Sequence, residues 1–301
     1  MSLVYRASPQ TWQGFLLSLL SMTFIFLLAL FYLLLVPLLL YLYYTSIYFW
    51  IVVCIIVSTI FWPHSTEHIS WWRENRFFEA WRSYFQLHVY SKEETILKSK
   101  HKKTLYTFVP HGLFPFGLTL VSGLLFNNED VKIAVASNMF YIPIFGFLLR
   151  VLGCVEANKD IFTKYDRVVL IPDGIAGAFY SDRTHERLFL GQRKGFLRHA
   201  AQEGFVIIPV YCFGHTQLYD VYGLRELSRR LRFTIIFFCG RKPTIWLPHA
   251  RPVSIVFGKT IVCKENVDEM HANYLQAIRE LYDYYKFIVP EWDKEKEIQI
   301  I

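Results

Sequence analysis

The longest feature of the hydrophobic pattern is an apolar run near the N-terminus, with no Asp, Glu, Lys or Arg between Ala7 and Thr66. A helix needs roughly 20 apolar residues to cross the hydrocarbon core of a bilayer, so this run has room for two such helices. Basic residues flank the run on both sides: Arg6, Arg73, Arg76 and Arg82. Because basic flanks favour the cytoplasmic side, the pattern predicts a membrane anchor over residues 1–66, folded as a transmembrane helical hairpin that turns near Pro37. One long tilted span and a re-entrant loop are the alternatives.

The next segment, residues 67–104, combines an amphipathic stretch with a basic linker. Over residues 71–88, apolar and charged side chains recur at helical spacing on opposite sides. The apolar side contains Phe77, Trp81, Tyr84 and His88, and the charged side contains Arg73, Arg76, Glu79 and Arg82. Trp and Arg on an amphipathic helix suit the plane of a membrane interface, so the pattern predicts an interfacial helix. A helix that packs on its own domain is the alternative.

From residue 105 onward, short runs of β-branched and aromatic residues alternate with helical patterns. The strand-like runs lie at 105–109, 131–137, 167–172, 205–213, 233–239 and 252–258. Continuous apolar runs of this kind are typical of strands buried on both faces. Helical patterns cover 192–203 and 266–289, and the charged residues 291–297 indicate a solvated tail. The predicted fold class is α/β, a mostly parallel sheet with flanking helices over residues 105–301, preceded by the hairpin.

Composition and charge limit the partners of such a chain. The net charge is +7, the pI is near 9.0, and aromatic residues make up 18% of the sequence. No run of Lys or Arg is long enough to favour nucleic acid, so the basic balance indicates a membrane surface or a phosphate-bearing substrate. The five cysteines form no Cys-x-x-Cys pair, so we expect free thiols in a reducing compartment and no metal site.

A candidate catalytic turn follows the first strand-like run, where Pro110 and Gly112 enclose His111. If the apolar stretch after this turn opens a helix, His111 lies at the positive end of the helix, which disfavours a protonated imidazole. A neutral imidazole is what a general base requires. The alternative is a histidine that hydrogen-bonds within its own loop.

A second turn, in which Asp173 and Gly174 follow the run at 167–172, is a candidate oxyanion or phosphate site. Glycine allows a close backbone approach and leaves N–H groups exposed. Asp173 or Asp182 could also orient the imidazole of His111. An ordinary strand-ending turn is the alternative.

Two cations next to a glycine form the third candidate, at the expected start of the helix over 192–203. Arg193, Lys194 and Gly195 would combine positive charge with free N–H groups at a helix N-terminus, which is an arrangement that binds anions. A solvated basic face is the alternative.

Taken in order, the segments VPHG, IPDGIAG, RKGF and IIPVYCFG resemble the diacylglycerol acyltransferase type 2 family over roughly residues 100–290. The family also contains monoacylglycerol acyltransferases and wax synthases. Its active-site motif is usually His-Pro-His-Gly, and Val109 here replaces the first histidine. Its second motif is usually Gly-Gly-x-x-Glu, and Asp173 and Gly177 here stand at the first glycine and at the glutamate.

The resemblance implies acyl transfer from acyl-CoA, a co-substrate, to a lipid hydroxyl by an acyltransferase domain over residues 105–301, with no cofactor. It implies the endoplasmic reticulum membrane, a cytosolic catalytic domain and lipid droplets. His111 would be the base, with Asp173 in support. Pro110, Gly112 and Gly174 would form the oxyanion turn, and Arg193, Lys194 and Gly195 would bind coenzyme A.

Diacylglycerol is the expected acceptor, and the product is triacylglycerol. The alternatives are a monoacylglycerol or fatty-alcohol acyltransferase, and a catalytically inactive lipid-binding or scaffold homologue, to which Val109 and Gly177 lend support.

Overall fold

The computed structural model describes residues 2–45, 48–60, 76–91, 103–125, 131–142, 145–231, 235–264 and 266–301. Inside the N-terminal helix, the side chains at positions 25, 28–33 and 36 are outside this description. Within the described residues, strands β1 to β13 occupy Ser2–Arg6, His88–Ser91, Thr104–Val109, Val131–Val135, Cys154–Glu156, Arg167–Leu170, Glu186–Leu188, Val206–Phe213, Asp220–Gly223, Ile236–Cys239, Ser254–Phe257, Ile261–Val262 and Ile298–Ile300. Helices α1 to α10 occupy Trp12–Thr45, Phe49–Ile60, Arg76–Tyr84, Phe116–Leu125, Phe145–Val151, Ile161–Lys164, Gly174–Phe179, Gly195–Gln202, Arg225–Leu231 and Val267–Tyr285.

Strand β3 lies in the middle of the main sheet, whose strand order is β1-β2-β11-β8-β3-β6-β4-β5, with β12 added along β8. β3 runs parallel to both β8 and β6, and β4 and β5 continue the parallel half. On the other side, β11 is antiparallel to β8, and β1 is antiparallel to β2. The predicted α/β class with a mostly parallel sheet is confirmed.

The two faces of the sheet bury separate apolar layers. Along β3, Tyr106 and Phe108 enter the first layer, whereas Leu105 and Val109 enter the second. This alternation follows from the period of two of a β-strand. Helices α1, α3 and α4 supply side chains to the first layer, and α8 and α10 supply side chains to the second. We call the two sides the first face and the second face of the sheet.

Helix α1 continues through Pro37 to Thr45, so the predicted turn near Pro37 is wrong. Proline weakens a helix because it lacks an N–H group, but the apolar residues on both sides of Pro37 include no glycine or polar residue that would end the helix. The chain leaves α1 after Thr45, and α2 begins at Phe49. Within the described part of the chain, no helix combines the length and the apolar character of a membrane span.

The N-terminal half of α1 packs on the first face of the sheet. Trp81 donates its indole N–H to Ser21 Oγ at 2.7 Å, and Trp246 donates its indole N–H to Thr23 Oγ1 at 3.0 Å. Met22, which lies between these two acceptors, is buried in the first apolar layer. This half of α1 is therefore part of the globular fold.

The predicted interfacial helix also belongs to the core. Helix α3 buries Trp81 and Tyr84 in the first apolar layer, and Arg82 donates from Nε to the Leu120 carbonyl at 2.9 Å. Because these aromatic rings are covered by the domain itself, they are not available to a bilayer surface, and the alternative interpretation holds. Residues 67–75 and the basic linker over 92–102 lie outside the described residues.

The sheet extends beyond the predicted domain boundary at residue 105. Strand β2 pairs in parallel with β11, and β1 pairs with β2 at the edge of the same sheet. Residues on both sides of the hydrophobic run therefore complete the α/β domain, so the expected division at 66 and 105 does not separate independent units.

One predicted sheet strand lies elsewhere. Strand β10, within the expected run at 233–239, pairs antiparallel with β9 and forms a separate two-stranded sheet, here called the β9–β10 ribbon. Its apolar residues follow the pattern of a buried strand, but only one side of the ribbon packs on the first face, through Val221 and Phe238.

Helix α10 begins as expected and the tail after it does not. Asn266 Oδ1 accepts the N–H groups of Asp268 and Glu269, which caps the helix. The predicted solvated tail is wrong, because Lys296 forms a buried ion pair with Glu186 at 3.0 Å and β13 pairs in parallel with β7.

Candidate active site

Three segments singled out by the sequence meet near the carboxyl edge of the main sheet. His111 follows β3, Asp173 follows β6, and α8, which leads into the parallel strand β8, begins at Gly195. Helices that connect parallel strands run against them, so the N-terminus of α8 faces the carboxyl ends of β3 and β6. Open α/β sheets bind their ligands at this edge.

The turn after β3 separates a core residue from a candidate base. Val109 is fully buried in the second apolar layer, whereas His111 is half-buried. Gly112 has a φ of +63°, in the left-handed region, and a Cβ there would lie 3.1 Å from the His215 carbonyl oxygen. Only glycine fits this position without strain.

The imidazole of His111 is oriented by its own turn. Its Nδ1 lies 2.9 Å from the Gly112 carbonyl oxygen. A carbonyl can only accept, so Nδ1 carries the hydrogen, and the lone pair of the neutral ring is on Nε2. Within the described residues Nε2 has no hydrogen-bond partner. The expectation that His111 lies at a helix N-terminus is wrong, since α4 begins at Phe116.

Asp173 holds the backbone of His111 and not its ring, which corrects the predicted role of this carboxylate. Its Oδ2 accepts the His111 N–H at 3.0 Å. Its Oδ1 is buried without a hydrogen-bond partner among the described residues. Burial raises the pKa of Asp173 to about 6, against the opposing charges of His111 and Arg193. Asp173 is therefore a positioning residue.

Gly177 leaves the space that the Asp173 side chain fills. A Cβ at position 177 would overlap the Asp173 carboxylate, at 2.5 Å from its Cγ, and would lie 3.0 Å from the His111 Cβ. Real Cβ atoms do not approach this closely, so the carboxylate beside His111 requires glycine four residues further along the chain.

The two glycines expected to bind an oxyanion differ in their N–H groups. The Gly174 N–H donates to the Ile171 carbonyl at 3.2 Å, so it is occupied within its own turn and the prediction for Gly174 does not hold. Among the described residues, the Gly112 N–H donates no hydrogen bond. Of the two glycines, only Gly112 therefore keeps an N–H group that is a candidate oxyanion donor. Pro110 contributes to the turn through its carbonyl.

Sequence reasoning missed His215, which holds the turn between β3 and α4 in place. Its Nδ1 lies 2.9 Å from the Pro110 carbonyl oxygen, and its Nε2 accepts the Gly117 N–H at 3.1 Å. These partners assign the neutral tautomer with hydrogen on Nδ1. Burial lowers the pKa of His215 to about 4, so the ring stays neutral at physiological pH. His215 thus ties the His111 turn to the start of α4.

The three residues expected to bind coenzyme A have different surroundings. The exposed guanidinium of Arg193 lies over Phe189, 5.1 Å from the ring centroid, and its charge partly opposes the rise in the pKa of Asp173 that burial causes. Lys194 Nζ is paired with Asp268 Oδ1 at 2.6 Å. Around Gly195 a Cβ would meet nothing within 4 Å. The structure therefore brings Arg193 toward the His111 site, while Lys194 is engaged by α10.

A histidine with a free ring nitrogen beside a free backbone N–H, on a mostly parallel α/β sheet, defines a site suited to acyl transfer. The chain belongs to the diacylglycerol acyltransferase family, whose model matches residues 40–299. It is an acyltransferase, and the resemblance inferred from the sequence motifs is confirmed.

Curated relatives with different acceptors in their names are similarly distant from this chain. Diacylglycerol O-acyltransferase 2A of Umbelopsis ramanniana is 26% identical over 270 residues, covering 77% of this chain and 75% of the relative. Human acyl-CoA wax alcohol acyltransferase 1 is 26% identical over 296 residues, covering 79% and 88%. Human 2-acylglycerol O-acyltransferase 3 is 25% identical over 291 residues, covering 79% and 85%.

Among solved structures, the 1-acyl-sn-glycerophosphate acyltransferase PlsC of Thermotoga maritima matches 82% of this chain and 96% of its own. The TM-score is 0.46 and the sequence identity is 11%.

Proposed function

We propose that this acyltransferase transfers an acyl group from acyl-CoA to the free hydroxyl of diacylglycerol, producing triacylglycerol in neutral lipid synthesis. The observation that carries the proposal is the geometry of His111, whose Nδ1 is committed to the Gly112 carbonyl while Nε2 is left for a substrate. Acyl-CoA is a co-substrate, and the reaction needs no further cofactor or metal ion.

His111 acts first as a base and then as an acid. Nε2 takes the proton from the acceptor hydroxyl as the oxygen attacks the thioester carbonyl. The resulting oxyanion is stabilised by the Gly112 N–H. When the carbon–sulfur bond breaks, the ester is released and the coenzyme A sulfur takes the proton from the imidazolium. General base catalysis of this kind contributes about 10²–10⁴ in rate.

The phosphates of acyl-CoA have a candidate site at the start of α8. The guanidinium of Arg193 is exposed, and the N–H groups of the first turn of α8 have no partners within the helix. Lys194 would join this site by exchanging Asp268 for a phosphate. Gly195 lets the ligand approach the backbone, because the space beside it is open.

The apolar helices α1 and α2 support a location at the endoplasmic reticulum membrane, with the catalytic domain in the cytosol and access to lipid droplets. No charged residue occurs between Ala7 and Thr66, so this segment would place the domain next to its lipid acceptor. Because the N-terminal half of α1 packs on the domain, the C-terminal half of α1 and α2 would enter the membrane, and the chain would turn between them after Thr45.

Other acceptors remain within the same chemistry. The names of the relatives include wax alcohol and 2-acylglycerol acyltransferases. A purified enzyme offered diacylglycerol, monoacylglycerol and a long-chain alcohol, each with the same labelled acyl-CoA, distinguishes these acceptors by kcat/KM.

An inactive scaffold is the less favoured function, because one of the two substitutions that suggested it lies outside the site, and the other, Gly177, leaves the space that Asp173 fills beside His111. Val109 is fully buried in the second apolar layer, so a side chain at this position does not reach the open side of the turn. Expression in cells that cannot make storage lipid tests this alternative, since a scaffold would not restore lipid droplets.

Removing the imidazole is the direct test of the mechanism. We expect His111→Ala to lower kcat by about 10²–10⁴, the usual contribution of a general base, in microsomes supplied with labelled acyl-CoA and diacylglycerol. His185→Ala is the matched control, because His185 is exposed and bonds only locally to Asp182 and Thr184. Wild-type activity in His111→Ala would remove His111 from the mechanism.

A further inference from the structure

We propose that the outer side of the β9–β10 ribbon, together with the loop over residues 241–245, is the surface that contacts an anionic lipid bilayer. This inference rests on the proposed function, for which it names the membrane partner and the surface that meets it. It also replaces the membrane contact that the sequence suggested for α3, whose aromatic residues lie in the core.

The ribbon presents an aromatic pair to the outside. Tyr222 and Phe237 are paired across the two strands, and they are 63% and 62% exposed. Their neighbours Val221 and Phe238 pair on the opposite side and pack on the first apolar layer. The inner side of the ribbon alone would hold it on the domain, so burial in the core does not account for the outer Tyr and Phe.

More apolar surface surrounds this pair. Leu224 and Leu227 at the start of α9 are exposed, and Ile245 in the adjoining loop is half exposed, at 50%. Exposed Tyr and Phe among aliphatic side chains are typical of surfaces that enter the interfacial region of a membrane.

The charged residues around this surface indicate which partner it binds. Residues 220–245 contain six Arg or Lys and two acids, Asp220 and Glu226, and Asp220 is paired with Arg183 at 3.0 Å. Arg230, Arg241 and Lys242 are exposed. Basic residues near an anionic leaflet are attracted to its surface. A second copy of this chain would instead bring two basic surfaces together, which opposes association.

The ribbon is joined to both catalytic segments. Phe114, three residues after His111, packs edge-on against Phe238 with ring centroids 5.6 Å apart. Arg225 donates to the Phe179 carbonyl at 3.0 Å, and Phe179 ends the helix that follows Asp173. A bilayer that contacts the ribbon would therefore lie next to the site that receives the lipid acceptor.

The residue that follows the loop, Trp246, also connects this surface with α1. Trp246 stacks on Phe26 of α1, with ring centroids 5.2 Å apart, and the exposed side chains of this helix include Phe24 and Leu27. Both elements lie on the first face of the sheet, so they can meet the same bilayer.

A local probe tests the surface without depending on α1. The exposed or half-buried cysteines, Cys54, Cys239 and Cys263, are replaced by serine in the full-length chain, and Phe237→Cys is labelled with an environment-sensitive nitrobenzoxadiazole dye. The labelled chain is reconstituted in phosphatidylcholine vesicles with and without phosphatidylserine. Phe287→Cys is the matched control, because Phe287 is 61% exposed and follows α10, on the second face.

We expect the dye at 237 to be quenched by lipids with brominated acyl chains and to be several-fold less accessible to iodide than the dye at 287. Arg241→Glu combined with Lys242→Glu should reduce the quenching by brominated lipid in vesicles that contain phosphatidylserine. Equal iodide access at both positions would overturn the proposal. Protection of the dye at 237 from iodide without quenching by brominated lipid would indicate a protein contact and would also overturn the proposal. The same holds if the quenching by brominated lipid is unchanged in the charge-reversed variant.

Acyl transfer by the labelled chain, which retains His111, separates this inference from the proposed function when it is measured in the same vesicles. Lipid contact at 237 in this chain without any acyl transfer would refute the proposed function alone. An active enzyme with position 237 in water would refute the lipid-contacting surface alone.

Discussion

Asp173 combines complete burial with an ionisable group, and burial raises the pKa of its carboxyl group to about 6. The folded chain therefore binds a proton more tightly than the unfolded chain between about pH 4 and pH 6. Protonated Asp173 favours the folded state, and this stability is lost as the pH rises through the folded pKa. Each pKa unit corresponds to about 1.4 kcal/mol, so ionising Asp173 costs roughly 3 kcal/mol.

Replacing this carboxyl group should remove the pH dependence. We expect Asp173→Asn, whose amide oxygen can still accept the His111 N–H, to lose the fall in stability that the wild type shows between about pH 4 and pH 6. Thermal denaturation of both proteins across this range measures the difference. Parallel curves for the two proteins would contradict the assignment of the titrating group to Asp173.

Gly177 should tolerate no side chain while Asp173 is present. Gly177→Ala places a Cβ in the volume of the Asp173 carboxylate and against His111, so we expect overpacking of about 1–3 kcal/mol and a lower kcat.

A double variant tests whether this cost comes from overlap between positions 173 and 177. Asp173→Ala combined with Gly177→Ala removes the overlap, so its melting temperature should lie above the sum of the two single effects. Simple additivity in this double-mutant cycle would show that the two positions do not compete for the same space.

At the scale of secondary-structure elements, the turn that carries His111 is held by a segment that is distant in sequence. His215, in the 3₁₀ turn after β8, bridges the Pro110 carbonyl and the Gly117 N–H. The turn and the start of α4 therefore move as one unit, and the position of His111 depends on a ring about one hundred residues away.

Replacing this ring should affect catalysis more than substrate binding. We expect His215→Phe to leave both backbone partners unpaired, at about 1–3 kcal/mol each, and to lower kcat while the KM for acyl-CoA changes little. His215→Gln, which keeps a donor and an acceptor, should recover part of kcat. His88→Phe, at a buried histidine on β2, is the control, because it should lower stability without affecting the position of His111. A wild-type kcat in His215→Phe would contradict the positioning role.

The elements also show which parts of the structure the sequence predicts. The strand at 206–213 was predictable because it is apolar at every position, and Asn266 marked the start of α10 because its side chain competes for backbone N–H groups. The predictions for α1, α3 and β10 went wrong at the next step. An apolar stretch indicates that its side chains will be buried, but its sequence does not show which partner buries them.

The residues of the candidate site likewise fall into those that the sequence predicts and those that it does not. His111 and Asp173 were found because glycine and proline around them mark strand-ending turns. His215 was missed because its partners, Pro110 and Gly117, are remote in sequence and both use backbone atoms. The occupied N–H of Gly174 was likewise a property of the folded turn.

At the scale of the whole molecule, the segment after α10 is fastened to the core by a buried ion pair. Lys296 Nζ lies 3.0 Å from Glu186 Oε2, and the two side chains are 3% and 0% exposed. Tyr211 and Thr216 also donate to this carboxylate, at 2.8 Å and 2.9 Å. Thr216 is adjacent to His215, so the network connects the end of the chain with the support of the active site.

Breaking this pair should be far more costly than breaking an exposed one. We expect Lys296→Met to lose about 3–5 kcal/mol, because it leaves the buried Glu186 charge without its partner. The control is Lys264→Met, which removes the exposed pair between Lys264 and Glu269 at 2.9 Å and should cost about 0–1 kcal/mol. Melting temperatures of the two variants give the comparison, and equal losses would show that Glu186 does not need Lys296.

Strand β1 lies before the hydrophobic run and pairs with β2, which lies beyond it. A shortened chain that starts at residue 67, made in the hope of a protein that needs no detergent, would lose this edge strand together with Met22. One edge of strand β2 would then have unpaired backbone groups, and the apolar layer on which α1 packs would be exposed to solvent. Such a truncated protein should precipitate during purification, because the apolar N-terminal segment also covers part of the domain that follows it.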